Sequence, residues 1–284
     1  MTVRRIVRSF LVLAALLLPA ATSVAGQEDE RLAVLTYRLA DDSRYVEGCL
    51  PPCRCSLLVG EDLRGTMRLV PEAADRRGVR YRIDDLLWVV TAPSTGELRI
   101  SGTGSLTRSG GNLSGHLDLS LDGAEPVRYV ADPAGAAGFP ELGLTLRIPG
   151  ATCYTDGFRI VAQPVSGNAS VPYRLDLASR YVFGCLNGFC DCPVTARGLQ
   201  GGFRALPLER YGDAQEVALV GFDAVIPSPA GVPGEPVHGV ALYRFRGSGQ
   251  EMFGTFAIGE ESAAWFDSGW VDGAAPPELD ITVT

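Results

Sequence analysis

Apolar and polar residues alternate through most of the chain. In His116–Asp122 the leucines Leu117, Leu119 and Leu121 fall on one face, and His116, Asp118, Ser120 and Asp122 on the other. Leu142, Leu144, Leu146 and Ile148 repeat the pattern, as do Leu279, Ile281 and Val283. Tyr81 and Ile83 point one way while Arg80, Arg82 and Asp84 point the other, and Phe158, Ile160 and Ala162 make a further run. A period of two is the signature of a strand with one buried and one wet face. Between runs lie breakers such as Pro93-Ser94-Thr95-Gly96, Ser109-Gly110-Gly111-Asn112 and Asp132-Pro133-Ala134-Gly135, and Asp122-Gly123 is a turn signal. No long segment carries a helical stripe. Strands of this kind at short spacing predict antiparallel sheets, about eight or nine strands to each half of the chain.

The halves are related. Tyr37-Arg38-Leu39-Ala40-Asp41-Asp42-Ser43-Arg44-Tyr45-Val46-Glu47-Gly48-Cys49-Leu50 returns as Tyr173-Arg174-Leu175-Asp176-Leu177-Ala178-Ser179-Arg180-Tyr181-Val182-Phe183-Gly184-Cys185-Leu186, an offset of 136. Leu63, Gly65, Arg68 and Pro71 meet Leu199, Gly201, Arg204 and Pro207 at the same offset, and Pro140-Glu141-Leu142 meets Pro277-Glu278-Leu279 at 137. Ordered matches over that span predict an all-β chain of two tandem, duplicated antiparallel β-modules, each a small up-and-down barrel or a two-layer sandwich. The modules are expected at residues 26–165 and 166–284. The run Thr155–Val165 has no counterpart in the second copy and either completes the first module or bridges to the second. Tyr45 and Tyr181, kept in both copies, are expected to pack into their module cores. Tyr173-Arg174-Leu175-Asp176 resembles the opening of the YceI-like lipid-binding barrels over four residues; it lacks the His-Ser that follows there, and assigns no site.

Residues 1–25 read as a secretory signal peptide. Arg4, Arg5 and Arg8 precede the apolar run Phe10–Leu18, and Ser23-Val24-Ala25 supplies small residues for cleavage. The run is too short to span a bilayer, so no membrane insertion is expected, and the location is secreted or periplasmic. Cleavage takes the net charge from −8 to −11. An acidic chain lacks the positive face of a nucleic-acid binder. All 25 basic residues are Arg, a usage typical of a GC-rich bacterial genome.

Seven cysteines are the sharpest chemical feature: Cys49, Cys53 and Cys55 in one copy, Cys185, Cys190 and Cys192 in the other, and Cys153 between them. The spacing is not that of a zinc ribbon, and an oxidising compartment favours disulfides over metal. No metal or other cofactor is expected. One triplet thiol is expected to meet Cys153, and the odd total leaves one thiol free or intermolecular.

The chain shows no catalytic constellation, which weighs against an enzyme. His116 and His238 occupy non-equivalent places. The pairs Asp41-Asp42, Asp84-Asp85 and Glu260-Glu261 sit on adjacent residues, which on a strand face opposite ways, so they read as solvated charge. Trp270, next to the turn Asp267-Ser268-Gly269, is the ligand-contact candidate, with the Pro-rich stretch Pro227–Pro236 as an extended loop nearby in sequence. The leading expectation is an exported binding or structural protein for an unknown small molecule or surface polymer. The alternatives are a carboxylate-based polymer hydrolase and a cell-surface assembly protein.

Overall fold

A computed structural model describes residues 33–49, 58–76, 78–92, 96–110, 112–132, 139–150, 153–183, 195–208, 212–229 and 231–272. These residues are almost entirely antiparallel strand, with a single 3-10 turn at Gly167–Ala169. The expected signal segment lies outside them, as do Cys53, Cys55, Cys185, Cys190, Cys192 and the run from Leu279 to Val283. Val34–Thr284 is one compact unit.

The first nine strands are β1 (Leu35–Leu39), β2 (Arg44–Cys49), β3 (Leu58–Asp75), β4 (Gly78–Ala92), β5 (Gly96–Ser109), β6 (Asn112–Leu121), β7 (Val127–Asp132), β8 (Leu142–Arg147) and β9 (Tyr154–Pro164). Neighbours in sequence pair from β3 to β9, and the ring closes because β1 and β2 each pair with both β3 and β9. β1 and β2 lie end to end as one strand position, broken at the turn before Arg44. Buried Ser43 secures the break, donating from Oγ to the Val161 carbonyl at 2.8 Å and accepting the Val161 N–H at 3.0 Å. The result is an up-and-down barrel without open edges. The run Thr155–Val165 supplies most of β9, the strand that closes this ring.

Large side chains fill the barrel. Trp88, Tyr37, Tyr81, Tyr129 and Phe158 are each at most 1% exposed. Phe158 lies within 6 Å, centroid to centroid, of Tyr45, Trp88 and Tyr129. The buried hydroxyl of Tyr37 donates to the Pro140 carbonyl and that of Tyr129 to the Asp156 carboxylate. Tyr45 and Tyr181 are half-buried rather than enclosed. Each packs against the margin of a core, Tyr45 on Phe158 and Tyr181 beside Ala224 and Ile226.

The next nine strands are β10 (Val171–Arg174), β11 (Arg180–Phe183), β12 (Thr195–Gly198), β13 (Gln200–Pro207), β14 (Gln215–Ile226), β15 (Glu235–Arg246), β16 (Gly249–Ile258), β17 (Ala264–Asp267) and β18 (Val271–Asp272). Among the described residues they form an open path β10-β13-β14-β15-β16-β17, with β18 on β16 and β11 paired to β12.

The pairings of the first half recur in the second. Tyr37 opposes Met67 and Tyr173 opposes Phe203; Arg44 opposes Asp62 and Arg180 opposes Gly198; Arg68 opposes Asp84 and Arg204 opposes Val220, all at an offset of 136. From β15 onward the offset is 137: Ile100–Leu121 becomes Val237–Ile258, and Leu117–Tyr129 becomes Gly254–Phe266. The shared Gly65 and Gly201 have φ of 135° and 142°, and a Cβ on either would lie 2.2 Å from a carbonyl oxygen of the next strand. Only glycine allows that approach.

Strand β4 is buried on both faces. Leu86, Trp88 and Val90 point into the barrel, whereas Leu87 and Val89 pack against Leu206, Ala218, Val220, Val240, Leu242 and Phe253 of the second sheet. Trp265 joins this layer and touches the Gly123 turn. A ring of charge flanks it. Glu216, whose side chain is 0% exposed, accepts from Arg64 at 2.8 Å and from Arg244 at 2.7 Å. Arg244 also meets Glu97 at 2.6 Å and Glu251 at 3.4 Å, while Arg99 meets Glu97, Glu251 and Asp267. Both Arg99 and Arg244 lie over the Phe253 ring, at 3.8 and 4.8 Å from its centroid. Burial raises the Glu251 pKa, against the opposing pull of Arg244 and Arg99.

Breaking a buried ion pair from one side leaves the other charge desolvated and uncompensated. Glu216→Gln should therefore lower the unfolding free energy by about 3–5 kcal/mol in chemical denaturation. A loss below about 1 kcal/mol, the scale of an exposed pair, would mean that water reaches Arg64 and Arg244.

Candidate functional site

Two concave features stand on the described surface, and a register irregularity shapes the first. In β4 the pairing with β5 slips between Ile83 and Leu86, and Asp85 takes φ of 48°. The bulge interrupts alternation. Asp84 and Asp85 therefore do not face opposite ways as adjacent strand residues would: both approach Arg68, at 3.8 and 3.1 Å. Nor is Asp85 solvated, for its side chain is only 9% exposed. The expectation of a surface charge pair is corrected on both counts.

The second sheet carries the same slip between Leu219 and Phe222, and Gly221 stands at the position of Asp85 with φ of 59°. The two bulges touch, the Gly221 N–H donating to Asp85 Oδ2 at 3.2 Å. Burial pushes the Asp85 carboxyl up to about 6, although Arg68 and the Gly221 N–H pull it down. Beside this contact a cleft of about 420 Å³ opens between the first barrel, the Val165–Ser170 connection and the second sheet. Arg68 and Arg204, which match at the offset of 136, both line it.

The second feature is a hollow of about 240 Å³ lined by Arg246, Gly249, Trp270, Val271 and Asp272. Trp270 is 46% exposed. Its indole lies 3.4 Å from where a Cβ on Gly249 would stand, so the glycine leaves room for the ring. The Arg246 guanidinium is 5.0 Å from a Trp270 ring centroid and also pairs with Asp213 at 3.2 Å. At an offset of 137 the first copy has Pro133, so this feature belongs to the second half. Among the described residues the other aromatics of that half do not line it. Tyr243 is buried, and Tyr173, Phe203, Phe222, Phe256 and Phe266 form a half-buried row of neighbouring rings across the sheet. The stretch Pro227–Pro236 is tied down by Arg197, which reaches Glu235 and the Pro227 carbonyl.

His116 and His238 lie apart, on β6 and β15; His238 is 3.8 Å from Asp223. Glu97, Glu216, Glu251 and Asp267 are all committed to arginines. Cys49 and Cys153 each take part in a disulfide, and neither is free.

Sequence reasoning passed over Arg68, Arg204 and Asp85. The signal for the arginines was present, since they match at the repeat offset. Asp85 had none, because only the bulge turns it inward.

No protein-family model matches the chain, and no curated protein does. Among solved structures it is similar to a candidate outer membrane protein from Bacteroides fragilis, at 13% identity over 84% of this chain and 95% of that one, with a TM-score of 0.24. A likeness at that level assigns neither fold nor function.

Asp85 makes a pH prediction. Its folded pKa of about 6 exceeds the ordinary 3.8, so between those values the folded state holds more proton than the unfolded one. Its contribution to stability therefore rises as pH falls through 6 and is complete below about 4. Asn keeps an acceptor for the Gly221 N–H and tolerates positive φ. Wild type should gain on Asp85→Asn by roughly 2–3 kcal/mol between pH 7 and pH 4, measured by urea denaturation. A constant difference across that range would show that the carboxyl titrates normally.

Proposed function

We propose that the chain is an exported bacterial binding protein built from a duplicated β-module, with the Trp270 hollow as its contact for a sugar ring of a surface polymer. The carrying observation is the half-exposed indole between a glycine and a guanidinium, bordered by Asp272. An aromatic face offers apolar contact to the C–H face of a sugar. Arg246 and Asp272 supply hydrogen-bonding groups for its hydroxyls. Duplication is supported by strand pairings that recur at offsets of 136 and 137, and by bulges and glycine conformations that recur at 136. Export is supported by the basic, apolar and small-residue order of residues 1–25. The filled barrel turns the binding reading from a barrel mouth to this outer surface, and the arginine-bound carboxylates favour it over polymer hydrolysis.

Affinity electrophoresis in gels cast with a panel of bacterial and plant polysaccharides should find a polymer that retards the protein. Trp270→Ala should weaken that retardation at least tenfold, about 1.4 kcal/mol, without shifting the unfolding midpoint. Equal retardation of wild type and variant would sink this reading. Intact mass of protein secreted by a bacterial host should correspond to a chain that begins at Gly26. A mature protein that keeps Arg4 and Arg5 would refute cleavage.

A further inference from the structure

The cleft between the modules is separate from the Trp270 hollow and has a different chemistry. Its aliphatic wall comes from Leu35, Val165, Leu206 and Val220, drawn from β1, the connection between modules, β13 and β14. At about 420 Å³ it falls within the range of roughly 300–1,000 Å³ usual for small-molecule sites. Its polar groups are Arg68 and Arg204. Each is held by one side of its fork. Arg68 uses Nε on Asp85 and Nη2 toward Asp84. Arg204 uses Nε on Ser170 Oγ at 2.7 Å and Nη2 on the Gly167 and Ser170 carbonyls at 2.8 and 3.0 Å.

Among the described residues neither Nη1 makes a hydrogen bond. The Nη1 of Arg68 stands 3.6 Å from where a Cβ on Gly221 would be, at the cleft wall. Two guanidinium edges that are fixed in place and hold N–H donors in reserve suit a carboxylate, which accepts at two oxygens. The partners that fix Arg204 are neutral, so its charge is not cancelled locally. Asp84 is shared between Arg68 and Arg82, and Arg82 also meets Glu72 at 3.7 Å, so among the described residues the charge left without an acid at the cleft is that of Arg204.

We propose that this cleft binds a small organic carboxylate with an aliphatic body. The head would sit between Arg68 and Arg204, and the body against the four aliphatic residues. Repeat-equivalent arginines meet here because the two bulges abut. The site therefore exists only where both copies are present and docked.

Calorimetric titration of the exported full chain with hexanoate, hexanol and acetate tests the inference. Hexanoate is expected to bind saturably. Hexanol lacks the head and acetate the body, so each should bind at least tenfold more weakly. Arg204 is exposed, and Arg204→Gln should keep the ligand-free thermal midpoint yet weaken hexanoate at least tenfold. Trp270→Ala should leave hexanoate binding unchanged, which separates this site from the one proposed above. Absence of saturable hexanoate binding to the wild type would overturn the proposal. Equal binding of hexanol would do so too, even if Arg204→Gln failed to fold. Undiminished binding to a folded Arg204→Gln protein, or loss of binding in Trp270→Ala, would place the ligand elsewhere and overturn it as well.

Discussion

The arrangement of the two halves depends on one buried charge cluster. Glu216 is wholly enclosed and holds Arg64 from the barrel and Arg244 from its own sheet. Arg244 returns the link through Glu97, and Arg99 reaches across to Glu251 and Asp267. Such charges are expensive to desolvate and are tolerated only when geometry satisfies both partners. Their arrangement is directional, unlike the apolar layer of Leu87, Val89, Leu206 and Phe253 beside it. The layer supplies most of the attraction, and the ion pairs fix the register in which it is made.

That register decides where sites are found. Because β4 lies against the second sheet, its bulge meets the bulge at Gly221, and the difference of Asp85 from Gly221 becomes a hydrogen bond between the halves. A carboxylate on both sides would have set like charges together; glycine supplies the N–H and no competing group. The same docking carries Arg68 and Arg204 into one cleft. Elsewhere the copies differ in what their inward positions face. Tyr37, Met67 and Tyr129 are sealed in a closed barrel, while Tyr173, Phe203 and Phe266 at the same register are half-buried on the sheet path described for the second half.

The offset also marks where the two halves differ. At an offset of 137 Trp270 falls on Pro133 and Gly249 on Asn112, so neither the indole nor the glycine that leaves room for it is matched in the sequence of the first half. An exposed ring on a rigid β framework is the surface feature on which the proposed recognition rests.

Much was legible in the sequence. Alternation at Leu117–Leu121 and Leu142–Leu146 identified strands and their buried faces, because a period of two leaves no other way to hide leucines in a pleated sheet. The repeat offset carried the strand pairings, since register follows from hydrophobic order and turn length. The apolar run Leu86–Val90 held the sign of a strand covered on both faces, though periodicity alone does not name the partner. Asp84-Asp85 misled, because a bulge is set by local backbone conformation and leaves no mark on the hydrophobic pattern. Nothing in the sequence marked Arg64, Glu97, Glu216 and Arg244 as partners, for a related reason. The residues of each pair that crosses between the halves lie more than a hundred positions apart in sequence. Alternation determines which face of a strand a charge occupies, but only the packing of one sheet on another decides whether water or a counter-charge stands opposite.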